Sequence, residues 1–298
     1  MRHDVAPAID SWFDMLDDVP AVKARRDAGT SSRPAPLDQA AGLRRMFTTH
    51  TLRFVPVVAN PHLAFGGALL ERLVTCYAGM GLRTLIVDAG ENARTPGELV
   101  ALDLAEGIER LDGQVAYLAA RGLPLRYVDA SGSTDGFLDA IAQAAPQTDV
   151  VLLHAGASDL VRLLVRRARE LQADALRPVV MADARPESIT HAYAAIKLFA
   201  SRGQLMAHDL LLACAPDAPA SAQIAERLAR CADDFLGAVQ HDCVAVDPAE
   251  AATERPGTAL LRLAREQLAA ALPMGIGDSV FGALDMLPPE RGTPRAHR

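Results

Sequence analysis

The chain has 298 residues, half of them hydrophobic but only 4% aromatic, so it can bury one large core that Ala, Leu and Val must build. A net charge of −7 lacks the basic excess of a nucleic-acid-binding face, so no nucleic-acid partner is expected. Cys76, Cys214, Cys231 and Cys243 form no CxxC pair, no apolar signal core opens the chain and no run reaches membrane-spanning length, which together argue against a disulfide framework, a zinc site or a membrane span and for a cytoplasmic protein with reduced thiols.

Residues 1–37 read as a flexible lead and linker. Its first part, 1–29, is polar and acidic around Trp12, Phe13 and Leu16, and fits a short docking helix or disorder equally. The linker proper, Thr30 to Pro36, is rich in Ser and Pro. A helix over 38–49 follows, with Asp38 able to cap it and Ala40, Leu43 and Phe47 on one face. From 50 to 272, strand and helix patterns alternate. The expected strands are Phe54–Ala59, Thr84–Asp88, Leu125–Asp129, Asp149–His154, Pro178–Ala182, Leu210–Cys214 and Cys243–Val246. Leu69, Leu70, Leu73, Val74 and Tyr77 line one face of the first intervening helix. This alternation specifies an α/β domain with a mostly parallel sheet and helices on both faces. Over 273–298 a short C-terminal helix with Phe281, Leu284 and Leu287 on one strip leads into a disordered tail. Asp278 and Asp285 flank that strip and basic residues begin only at Arg291, so at most weak membrane association is expected.

Ligands of such sheets sit beyond the carboxyl ends of the strands. The loops there are Asn60–Gly67, Ala89–Thr95, Ala130–Thr134, Ala155–Ser158 and Asp183–Ser188. The first, NPHLAFGG, stands where a phosphate-binding loop would. Such a loop needs glycines that free backbone N–H groups and a Lys that neutralises the phosphates. Gly66 and Gly67 are present, but no Lys occurs between Lys23 and Lys197, and Pro61 removes a donor. Arg72 lies about a turn and a half into the following helix, out of position to substitute. His62 and His154 can lie near each other beyond adjacent central strands. They then either fill a vacated pocket or, as the rarer alternative, form a replacement metal or anion site; no catalytic or metal-binding residue is assigned.

The segments TLIVDAG (84–90) and DVVLLHAG (149–156), together with the loop, resemble the MinD-like ATPases of the deviant P-loop superfamily. Those proteins carry a stretch like VTSGKGGVGKT, then a strand ending DAD, and later a stretch like DYVLIDTGAG. Matching Asp88 to the first Asp of DAD places Gly66 and Gly67 on the family's Lys-Thr pair and Pro61 on its signature Lys. Asn60 and His62 flank that proline. Gly90 then stands for the Asp that supports water activation, and His154 for the metal-associated Asp. The resemblance thus implies a MinD-like fold whose ATP site is degenerate, a pseudo-ATPase needing no cofactor; ATP and magnesium would serve only if the chain were instead a divergent, active ATPase.

Two further segments resemble the branch that regulates flagellar number, the FlhG/FleN family. DQAAGLRR (38–45) is similar to the DQAxxLR helix that stimulates the signal-recognition-type GTPase FlhF. That similarity implies a partner surface of Asp38, Gln39, Ala40, Leu43 and Arg44. Gln39 would orient an attacking water, Leu43 would anchor the helix in an apolar groove and Arg44 would pair with carboxylate or phosphate. PESITHAYAAIK (186–197) is similar to the family's PTSITDAYALIK, with Pro186 opening a helix and Ala192, Ile196 and Phe199 facing the sheet. ERLARCADDFLG (226–237) and Val244–Pro248 resemble the family's RFLG and VPxDP stretches. The implied partners are an FlhF-type GTPase, with a flagellar transcriptional regulator or a C-ring component as further possibilities, and the implied location is the cytoplasm or, through a partner, the cell pole. A non-enzymatic scaffold in a flagellar or polar assembly is the other reading.

Overall fold

A computed structural model describes residues 51–101, 103–130, 132–250 and 255–275. The activator-type helix expected over 38–49, the lead before it and the segment from 276 onward lie outside the described residues.

The strands are β1 (Thr51–Val58), β2 (Thr84–Asp88), β3 (Ile108–Arg110), β4 (Val115–Ala119), β5 (Val150–Ala155), β6 (Val179–Ala182), β7 (Ala207–Ala213), β8 (Val239–Val246) and β9 (Leu272–Gly275). They form one sheet in the order β3-β4-β2-β5-β1-β6-β7-β8. Pairing is parallel from β4 to β8, and β3 adds an antiparallel edge on β4. The helices are α1 (Gly66–Gly79), α2 (Leu123–Arg126), α3 (Asp135–Ala144), α4 (Ala157–Glu170), α5 (Pro186–Leu198), α6 (Pro219–Leu236) and α7 (Thr258–Ala270). The expected α/β architecture, a mostly parallel sheet between helical layers, is the one observed.

Side chains alternate across the central strands, so each face has its own core. Leu52, Phe54 and Val58 of β1 join Val151 and Leu153 of β5 beneath α3, α4, α5 and α6. Val55 and Val57 join Val150 and Leu152 beneath α1 and α7. The apolar stripe of α1 is buried as its spacing requires: Leu69, Leu70, Leu73, Val74 and Tyr77 all face the sheet. In α5, Ala192 and Ile196 are buried, and so is Phe199 just beyond its end. Gly237 closes α6 with φ +64°, a left-handed turn that a side chain would strain.

The strand expected over Leu125–Asp129 is not one. Gly122, at φ +74°, turns the chain into the single-turn helix α2, and Pro124 near its start offers no donor for a ladder. Leu125 and Val128 are exposed, and Tyr127 leans on Phe137 at 5.2 Å between ring centroids. The position beside β2 belongs to β4, whose VAYLA sequence has too little β-branching to stand out from a helix. The other six expected strands appear within a few residues of their expected bounds.

The sheet also runs past the boundary expected at 272. β9 pairs antiparallel with the first half of β1, from Phe54↔Leu272 to Thr51↔Gly275. It fills the side of β1 that β6 leaves open, because β6 pairs with β1 only at Val57 and Val58.

Candidate functional site

A cleft of about 920 Å³ opens beyond the carboxyl ends of the central strands, where the fold places ligands. Asn60, Pro61, His62, Gly66 and Gly67 line it from the loop after β1, Asp88 and Gly90 from the end of β2, and His154 from the end of β5. The eight residues that the sequence singled out in these loops therefore line one cleft. Among the described residues, the loops Ala130–Thr134 and Ala155–Ser158 supply none of the lining. Tyr117 and Arg121, from β4 and the turn after it, take that share of the wall. Arg94 and Arg185 complete the basic lining.

The loop after β1 is closed on itself. Asn60 is buried, and its amide donates to Met181 O and Ser188 O at 3.0 Å and to Ser188 Oγ at 3.1 Å. Its own Oδ1 accepts from His62 N at 3.1 Å, and its carbonyl accepts from Leu63 N at 3.0 Å. Ala64 N points to Asp183 Oδ2 at 3.4 Å. Asp183 also accepts from the Arg185 backbone at 3.0 Å and from its guanidinium at 2.9 Å, and Arg185 reaches on to the His62 carbonyl. The amides of His62, Leu63 and Ala64 are thus committed to protein acceptors, and Pro61 has none. Arg72 pairs with Glu250 at 3.0 Å, on the chain leaving β8, and does not line the cleft.

At the cleft floor, Asp88 and His154 are lateral neighbours in the β2–β5 ladder. His154 Nδ1 lies 2.8 Å from Asp88 Oδ1, which also accepts from Gly90 N at 3.1 Å. The Tyr117 hydroxyl donates to Asp88 Oδ2 at 3.2 Å, and the Arg94 guanidinium sits over the Tyr117 ring at 5.4 Å. Burial alone would raise the Asp88 carboxyl, but the His154 bond and charge, with Gly90 and Tyr117, hold it below its ordinary value. Burial, then the Asp88 charge, push the Tyr117 phenol up. Asp183 is likewise lowered: its burial is outweighed by the hydrogen bonds of Arg185.

His62 and His154 line one cleft but have separate ring partners. His62 meets His191 edge-on at 5.9 Å, and burial followed by the His62 charge lowers the His191 imidazole. Among the described residues no three His, Cys, Asp or Glu side chains are grouped to hold a metal ion. Nor, among them, is any helix long and apolar enough to cross a membrane.

No protein family matches the chain, and no curated protein matches it. Among solved structures it is similar to the MinD cell division protein of Aquifex aeolicus, at 12% identity and a TM-score of 0.47, over 73% of this chain and 97% of that one. It is also similar to the MinC:MinD complex of the same organism, at 14% identity and a TM-score of 0.45, over 74% of this chain and 98% of that one. A plasmid partition protein from Borrelia burgdorferi bound to AMPPNP is similar at 10% identity and a TM-score of 0.45, over 73% and 97% of the two chains.

Proposed function

We propose that the protein is a non-hydrolysing regulator of flagellar number or placement that acts on an FlhF-type signal-recognition GTPase. The observation that carries the non-hydrolysing part is the self-closed loop. Phosphate binding at such a site relies on free backbone donors and a cation, and here His62, Leu63 and Ala64 donate within the protein. The GTPase-activating part rests on the likeness of DQAAGLRR to an activator helix, with Gln39 as the water-orienting group.

Two measurements test it. GTP hydrolysis by the FlhF-type GTPase of the same organism is expected to rise when the protein is added and to return to its basal rate with Gln39→Ala. Equal stimulation by the variant would remove Gln39 from the role. Calorimetric titration with magnesium-ATP is expected to give no saturable heat. It should still give none in the double variant Gly66→Lys, Gly67→Thr, because the missing Lys returns but the committed amides do not. The second reading, a divergent ATPase, draws on Arg94, Arg121 and Arg185 around an open cleft; turnover of ATP by the parent chain would establish it instead. A flagellar transcriptional regulator or C-ring component as partner, and a location at the cell pole, belong to the same proposal; the partners are tested by pull-down with and without residues 1–50, and the location by imaging the fluorescently tagged full chain in cells.

A further inference from the structure

Three large apolar side chains stand exposed around the turn where α6 stops at Gly237. Phe235 is 74% exposed, Val239 57% and Met206 42%. Val239 N donates to Met206 O at 2.7 Å, and the Met206 methyl lies 3.8 Å from where a Cβ on Gly237 would stand. Grouped exposure of this kind marks a contact surface. On the side of α4 and α5 the border of the patch is cationic. Arg202 sits in the π-helical turn between α5 and Met206, and Lys197 is exposed in the last turn of α5. Arg169, in the last turn of α4, donates to Gln204 Oε1 at 3.1 Å. On the α6 side the border is acidic, with Asp233 and Asp234 exposed.

The sequence supplies a segment with the complementary pattern. Ile9, Trp12, Phe13 and Leu16 recur at helical spacing between Pro7 and Pro20. Asp10, Asp14, Asp17 and Asp18 fall on one flank of the same pattern, and no Lys or Arg interrupts 4–18. We propose that residues 8–18 dock on the Met206, Phe235 and Val239 patch of their own chain, with the aspartate flank toward Arg202, Lys197 and Arg169. The tether permits it. β7 and β8 run parallel to β1, so Thr51 and the residues that open β7 and β8 share one end of the sheet. Three strand spacings separate β1 from β8, about 14 Å, whereas residues 19–50 as a flexible chain span about 30 Å. Leu99 and Leu125 are also exposed, but they lie on segments leaving the carboxyl ends of β2 and β4, at the far end. Residues 276–298 leave from the near end too, but there Asp278, Asp285 and Glu290 are balanced by Arg291, Arg295 and Arg298. They match a cationic border less well than aspartates alone. Docking closes residues 19–50 into a loop and holds DQAAGLRR beside this end of the sheet.

Trp12 is the only tryptophan of the chain, so its fluorescence in the full-length protein reads the contact directly. The parent should emit to the blue of N-acetyltryptophanamide and be quenched by acrylamide several-fold less. The double variant Phe235→Ser, Val239→Ser removes side chains that are already exposed, and a cooperative melting transition checks that it folds. Its emission should move to the red and its quenching should approach that of the model compound. The double variant Lys197→Glu, Arg202→Glu should weaken the protection in the same direction. Parent emission and quenching equal to those of the model compound would overturn the proposal. So would protection that survives in the Phe235, Val239 variant, or protection lost on dilution, which would put the segment on a second copy. If that variant does not fold, the Lys197, Arg202 variant decides alone: weakened protection supports the proposal, and unchanged protection overturns it. No partner or nucleotide is present in the measurement, so its outcome is separate from GTPase stimulation.

Discussion

Asn60 shows how one side chain can close a site. Its amide holds the end of β6 and the start of α5, while its Oδ1 holds the turn after β1. Asn60→Ala would leave the buried Met181 and Ser188 carbonyls without that donor, at a cost of about 1–3 kcal/mol, read from the urea midpoint. Asp88 and His208 both contribute to the acid limb of stability, alongside the lowered Asp183 and His191. The Asp88 carboxyl is lowered in the fold, so its contribution is complete above its unfolded value and is lost as pH falls through the folded one. His208 is buried, and burial lowers its imidazole from 6.5 to about 4. The unfolded chain takes up that proton first, so stability drains away as pH falls from 6.5 toward 4, by roughly 3 kcal/mol in all. Unfolding curves between pH 7 and 4 should show this loss, and His208→Gln should flatten it. Much of the cleft was legible at this scale, since the loops that follow parallel strands can be read directly. The Tyr117 donor to Asp88 was not, because it lies 29 residues away on a strand with no motif of its own, and Arg185, though only two residues from Asp183, carries no motif that marks it as a donor.

At the scale of elements, long amphipathic stretches such as α1 and runs rich in Val or Leu such as β5 and β7 were readable from their periodicity. Two short elements were not. LPLRYVD offers the hydrophobicity of a strand, but Gly122 and Pro124 turn it into α2; the sheet position went to β4, whose Ala-rich sequence resembles a helix. β9 was missed because four residues are too few to show a period. It is nonetheless part of the core: Leu272 is 0% exposed, packed in the same cluster as Phe54. Leu272→Ala should therefore cost about 2–5 kcal/mol, as much as a central position, and the same denaturant midpoint measures it. A loss below about 1 kcal/mol would mean that β9 only decorates β1.

Across the described residues, the cleft and the Thr51–Gly275 pair lie at opposite ends of β1. Asn60 follows the end of β1 at the cleft, whereas Thr51 begins β1, about 23 Å from Val58 at the rise of an extended strand. There Thr51 and Gly275 face each other across the antiparallel ladder. That pairing has a mechanical consequence. Partners that pull residues 1–50 and 276–298 apart would load β1 and β9 as a zipper, so that the ladder bonds break one after another from the Thr51–Gly275 end. Sequential rupture needs far less force than shearing the parallel strands together, so the seam is the weak direction of an otherwise stiff body. Tension between the two tails would peel β9 away first, baring one edge of β1 while the cleft end of the sheet stays intact.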